Sequence, residues 1–196
     1  LFAAPPEKDF EWSEQAIEGC SRFLQRVYRL VARHAEWLST ASTLSVSSTN
    51  LDLASPKEKA LLRKAHQVLR RVSHDFESRW HFNSATALLM ELVNEIHAQE
   101  PIDDGVRPEI AREVFDLLIL MLAPMVPHLA EELWEMLGHK DTLAHARWPE
   151  FVPQLAAEDE VEIVVQIHGR VKSKITVESG LSEADLEKRV LSEPGV

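Results

Sequence analysis

The 196-residue sequence predicts a mainly α-helical protein, a helical bundle followed by a small, truncated α/β segment with one β-hairpin and one helix. Three observations carry this. Apolar residues recur at helical spacing through most of residues 13–137. Start and stop residues (Ser55-Pro56, Pro108, Gly138) fall where those patterns begin and end. After Trp148-Pro149 the pattern changes to the alternation of strands.

Residues 13–38 form the first predicted helix, with Ser13 as its cap and Ile17, Cys20, Phe23, Leu24, Val27, Leu30 and Val31 on one apolar face. Residues 39–55, rich in Ser and Thr and poor in apolar period, read as a flexible connection. Ser55-Pro56 then opens a helix with Leu61, Ala65, Val68, Leu69, Val72 and Phe76 buried. The phase changes near Trp80, and Asn83 is the expected cap of a third helix with Leu88, Leu89, Leu92, Val93 and Ile96 inward. A turn-rich stretch, Pro101 to Pro108, leads into a fourth helix whose run Leu117–Leu122 is apolar nearly all round, the mark of burial on several sides. Pro124 and Pro127 end it, and residues 128–137 add a short helix closed by Gly138. Residues 160–177 alternate as two strands, and 182–192 read as a Ser-capped helix. Two strands and one helix are too few for a core of their own, so this second part looks cut short. The expected division is 1–150 and 151–196.

Composition sets bounds on function. The net charge of -11 argues against indiscriminate nucleic-acid binding, but a local basic surface can sit on an acidic body. A hydrophobic content of 45% is enough for a soluble core, and no apolar run is long enough to span a bilayer. The single cysteine, Cys20, excludes an intramolecular disulfide and a multi-cysteine zinc site, and favours a cytoplasmic setting. The N-terminus lacks the basic start of a signal peptide. It also lacks an initiator Met, so the chain reads as a piece of something longer.

Two cation patterns stand out. On the first helix Arg22, Arg26, Arg29 and Arg33 fall within about 60° of arc, nearly opposite the apolar stripe. With no acidic residue in the row, they suit an extended polyanion such as an RNA backbone; the alternative is a solvated face or pairing with acids of another helix. The second pattern is VVQIHGRVKSKITV, with Arg170, Lys172 and Lys174 at alternate positions. A two-residue loop at His168-Gly169 would pair Ile167 with Arg170 and mix apolar with charged residues on both faces. A three-residue loop, Ile167-His168-Gly169, pairs Val165 with Val171 and gathers the cations on one face, so this register is the expected one. It also sets Glu162 opposite Lys174, so a cross-strand ion pair competes for that cation.

No catalytic constellation is legible. There is no G-x-S-x-G, phosphate-binding loop or dinucleotide motif, and no His-x-x-x-His pair with a nearby acid for a metal. His128 reads as a helix-entry or core residue, Cys20 as a small hydrophobe, and Glu131-Glu132 as a solvated helix flank. The five tryptophans could stack on bases, although Trp134 fits core packing better.

Several segments, taken in order, carry a resemblance. FAAPPEKDFEW, EGCSRFLQRVYRLV, FNSATALLMELVN, LAPMVPHLAEELWEMLG, WPEF and VVQIHGRVKSKITV look like the C-terminal portion of a bacterial-type leucyl-tRNA synthetase. PHLAEELW is shared more loosely with valyl- and isoleucyl-tRNA synthetases, while the strand pair is similar to the more specific VQVNGKVR stretch, with His168, Arg170 and Lys172 replacing Asn, Lys and Arg. The resemblance implies a helical anticodon-binding-type domain in residues 1–150 and the start of a tRNA-contacting α/β domain after it. It implies a parent enzyme that joins leucine to tRNA(Leu) with ATP and Mg, a monomer in the cytoplasm. The HIGH- and KMSKS-type motifs are not in these residues, so this piece is not expected to catalyse or to hold a cofactor or metal. Arg22 falls at the tRNA-contacting arginine of the family's N/S-R-F-L-x-R-V stretch, with Arg26 its second basic residue. Because leucine has many codons, phosphate and shape contacts are more plausible than base reading. A helical protein-interaction module is the competing class.

Overall fold

The computed structural model describes residues 14–42, 54–157, 160–167, 170–178, 186–188, 190 and 192. Ser13, most of the 39–55 connection, the His168-Gly169 turn and the Ser182 cap lie outside them. The chain divides into two compact units, one up to Ala156 and one from Ala157 on.

The first unit is built from α1 (Glu14–Ser39), α2 (Pro56–His74), α3 (Phe82–Ala98), α4 (Pro108–Leu122), α5 (Pro127–Met136) and a short α6 (Pro153–Ala156). Its core is one cluster of Leu, Ile, Val and Ala around Phe115 on α4. As its all-round apolar pattern requires, α4 is buried on nearly every side, including Arg112 and Asp116. Side-chain contacts of Arg26 with Asn94 and of Arg33 with Glu100 show that α1 and α3 run parallel.

Caps fix where the helices begin and turn. Ser55 and Glu58 make a reciprocal capping box at the start of α2. The Glu58 carboxylate, buried at 3% exposure, also accepts from the backbone N–H of Arg107 at 2.9 Å and its Nε at 2.8 Å, which ties α2 to the start of α4. Burial alone would raise this carboxyl, but hydrogen bonds from Arg107 and Ser55 outweigh it and hold it below the usual range. Gly138 closes α5 at φ +86°, with its N–H on Glu135 at 2.8 Å and the N–H of His139 on Trp134 at 3.3 Å, a Schellman pair.

The structure corrects several expectations. Asn83 is not the cap of α3. A π-helical turn, Asp75–Arg79, ends in Trp80 at φ 55°, and His81 takes the cap position; Asn83 lies in the first turn, its Oδ1 buried without a hydrogen-bond partner. Ser84 supplies the local polar contact instead, donating to Asp75 at 2.6 Å. Glu131 is not merely solvated: it accepts from the N–H groups of Leu143 at 2.9 Å and Ala144 at 3.2 Å and from Thr142, holding a 3₁₀ turn at Leu143–His145. Ile17 on α1 is exposed and Cys20 half-buried, so the apolar face is covered by described residues only from Phe23 onward. His128 is exposed at the entry of α5.

In the second unit β1 (Glu160–Ile167) pairs antiparallel with β2 (Arg170–Glu178). The register differs from the expected one. Ile167 pairs with Arg170 and Gln166 with Val171, the arrangement a two-residue loop gives; then a bulge at Lys172 shifts the ladder so that Val165 meets Ser173, Ile163 meets Ile175 and Val161 meets Val177. The bulge restores apolar pairing, which the simple two-residue register lacks, so both registers are used in turn. Glu162 therefore pairs with Thr176, and Lys174 with Val164. Leu186 and Val190 pack against the buried Ile175.

Candidate nucleic-acid interface

The strongest cation pattern sits on α1, which has two faces. One buries Phe23, Val27, Leu30, Val31, His34 and Leu38 in the core. The other carries Arg22, Arg26, Arg29 and Arg33 along about 16 Å of helix axis. Each guanidinium is engaged differently. Arg22, 74% exposed, reaches Glu18 at 3.7 Å one turn back. Arg29 donates to Gln25 at 3.3 Å. Arg26 donates to Asn94 of α3, and Arg33 donates to Glu100 beyond the end of α3 at 3.4 Å. The row is therefore not free of acids: Glu18 continues it at its N-terminal end, and Glu100 reaches it from outside α1.

That second contact belongs to a seam between α1 and α3. Glu100 also bonds His34 Nε2 at 3.1 Å, and its carboxyl is held low against the effect of burial, by His34 first and then by Ile102 and Arg33. His97 sits in the same seam with a buried Nε2 that has no hydrogen-bond partner. Burial, and then the nearby charge of Arg26, lower its pKa. Exposed ion pairs of this kind stabilise a fold by less than about 1 kcal/mol. Asn94 and Glu100 escape a reading of the sequence because nothing in the chain signals a contact between helices about 67 residues apart.

The other cations lie in the second unit. Arg170 pairs with Ile167, Lys174 with Val164, and Lys172 is the bulged residue, so the pairing lacks the unbroken alternation on which a single row of three depends. Of the tryptophans, Trp80 and Trp148 are exposed, Trp37 and Trp134 are half-buried against the core, and Trp12 lies outside the described residues. Trp134 stacks on His139 at 3.4 Å and donates to Asp141 at 3.2 Å, a packing role. Among the described residues no group of three or more His, Cys, Asp or Glu is placed to hold a metal, and no helix is long and apolar enough to cross a membrane.

Comparison with known proteins agrees with the fold. Over its whole length the chain is similar to curated leucine–tRNA ligases. It is 42% identical to that of Geotalea daltonii over 193 residues, covering 98% of the chain and 23% of the relative. It is 40% identical to that of Syntrophobacter fumaroxidans over 200 residues, 100% of the chain and again 23% of the relative. The chain thus spans about a quarter of the relatives it matches. Among solved structures it is similar to the LeuRS of Agrobacterium radiobacter K84 in a ternary complex with tRNA and LeuAMS, with a TM-score of 0.75 and 25% identity over 98% of this chain and 24% of that one. The pattern of the anticodon-binding domain of tRNA ligase matches residues 58–188, and the chain belongs to that family.

Proposed function

We propose that this chain is the tRNA-docking part of a leucine–tRNA ligase. The observation that carries the reading is the exposed arginine row of α1, in a chain similar from end to end to curated leucine–tRNA ligases. In this reading Arg22, Arg26, Arg29 and Arg33 neutralise phosphates of tRNA(Leu), and Arg170, Lys172 and Lys174 add contacts from the second unit. The helical docking domain extends through α6 to Ala156, a few residues past the expected boundary at 150, and the residues from Ala157 on begin the tRNA-contacting α/β domain. The parent enzyme joins leucine to tRNA with ATP and Mg in the cytoplasm, as a monomer, and this part contributes binding rather than catalysis. The valine and isoleucine alternatives have less support, because the relatives named above are leucine enzymes.

The test is tRNA(Leu) binding by the 196-residue chain across a salt series. Arg22→Ala with Arg26→Ala is expected to weaken binding and to flatten the log–log salt slope by about 0.7–0.9 for each phosphate no longer neutralised. An unchanged affinity and slope would remove the row from the interface.

A further inference from the structure

One end of the bundle carries a feature that the arginine row does not use. The C-terminal turns of α2, the π-helical turn, the first turns of α3 and residues 148–153 enclose an open groove of about 1070 Å³. Trp148 and Phe151, both more than a third exposed, form its aromatic wall. Trp148 is held in place by its Nε1–H on Ser73 at 2.8 Å and by Phe76 behind it at 5.6 Å. Phe76 in turn meets Phe82 at 5.2 Å, and Phe82 meets Trp80 at 6.1 Å. The aromatic series therefore runs from the groove to Trp80, which is 64% exposed at a left-handed backbone position after the π turn. A tryptophan kept at positive φ and in water costs stability, and such strain gathers at functional sites.

The polar lining decides what fits. Arg70, Arg71 and the imidazole of His74 face the groove together with the carboxylates of Asp75, Glu77 and Glu150. Three carboxylates against two guanidiniums disfavour a phosphate. They suit a group with donors and acceptors on one edge and two flat faces. A nucleobase has both, and aromatic walls bind bases by stacking. The groove also lies in line with the proposed phosphate contacts. Ala87 in its α3 wall and Asn94, which holds Arg26, are two turns apart on one face of α3, about 10 Å along the axis. Both are exposed, as is Glu91 between them, paired with Lys64 at 2.7 Å.

We infer that this groove seats an unpaired nucleobase of the tRNA whose backbone lies on the arginine row, stacked on Trp148 and Phe151. The inference rests on the tRNA-docking reading and adds a base site to it. The test compares three forms of the chain, wild type, Phe151→Ala and Trp148→Phe, binding tRNA(Leu) and a fully paired RNA duplex. Phe151→Ala is expected to weaken tRNA binding about tenfold with an unchanged salt slope, and to leave duplex binding as it was. Trp148→Phe keeps an aromatic wall and the fold, and should remove the part of the tryptophan fluorescence that tRNA quenches and duplex does not. Wild-type affinity and quenching in both variants, beside a weakened Arg22→Ala/Arg26→Ala control, would overturn the base site and leave the docking reading standing. Equal losses on tRNA and duplex would also overturn it, since a stacked unpaired base has no counterpart in a duplex. No tRNA binding by the wild-type chain would overturn both.

Discussion

Arg112 and Arg33 each meet a carboxylate at almost the same distance, 3.2 Å to Asp116 and 3.4 Å to Glu100, yet they do opposite work. The Arg112 side chain is 4% exposed, and that of Arg33 is 60% exposed. Arg112 uses its whole fork: Nη1 caps α1 through the Leu38 carbonyl at 2.8 Å, Nε meets Asp116, and Nη2 lies 2.8 Å from His139. Buried among these partners, it has no open side from which a ligand could reach it. Arg33 makes one long contact and keeps most of its donors in water. The distance of an ion pair thus says little about its role; burial and donor satisfaction separate an arginine that holds the fold from one whose donors still face water.

The sharpest way to break this contrast is Arg112→Leu. It would take the guanidinium from buried Asp116, leaving it His139 Nε2 at 2.8 Å, and would uncap α1, so a loss of about 3 kcal/mol in urea unfolding is expected. A loss under about 1 kcal/mol would show that Arg112 is no more structural than the surface row.

Acid should expose a second buried group. His66 is fully buried, with Nδ1 accepting from the N–H of Val152 at 3.2 Å and Nε2 without a hydrogen-bond partner. Burial pushes its pKa down to about 4, below an ordinary 6.5. The folded state then resists protonation more than the unfolded chain does. The stability tied to neutral His66 is complete above pH 6.5 and falls as the pH drops toward 4, by up to about 3 kcal/mol. Glu113 opposes it. Burial, and then Asp116, raise Glu113 to about 7, so its contribution is complete below pH 4.5 and is lost as the pH rises through 7. His66→Gln should therefore tilt the stability profile between pH 4.5 and 6.5 toward the acid side. A profile that keeps the wild-type slope would remove His66 from this account.

Glu58 with Arg107 is the intermediate case, the acid buried and the arginine 47% exposed. Glu58→Gln keeps the shape but gives up one acceptor oxygen, either toward Ser55 or toward Arg107. Arg107 can turn to water, so a cost of about 1–2 kcal/mol in urea unfolding is expected, well under that of Arg112→Leu. Equal costs would show that removing a buried acid matters as much as removing the arginine beside one.

These three sites also mark how far the sequence can be read. The start of α2 is local and follows from Ser55 and Pro56, as do the Pro108 start and the Gly138 stop; the Glu58 half of the capping box is equally local, three residues after the cap. Arg112 in a run that reads as apolar gives no hint that its partners are Leu38 and His139, because both lie far along the chain. The α3 cap is misplaced by residue type for a related reason. Asn83 is the better cap by composition, but the π turn adds a residue and moves the entry to His81, and no propensity records that. On the hairpin, alternation identifies the strands, but a bulge of one residue decides the pairing. The arginine row is legible because it is periodic within one helix; its anchors Asn94 and Glu100 are not, because they are not part of that helix.

The smallest expected effect sharpens the contrast most directly. Glu100 accepts from both Arg33 and His34, and in the proposed reading it competes with phosphate for Arg33. Glu100→Gln keeps an acceptor for one of them while removing the negative charge beside the row. The fold should lose less than about 1 kcal/mol, since the Arg33 side of the pair is exposed. RNA should gain, because Arg33 no longer has a protein carboxylate to leave and the local field turns more positive. A two- to threefold tighter tRNA complex is expected, with a salt slope steeper by up to about 0.9 if Arg33 then contacts one further phosphate. Weaker binding from Glu100→Gln would mean that the carboxylate positions Arg33 for RNA rather than restraining it, and the seam would then belong with Arg112 among the structural contacts.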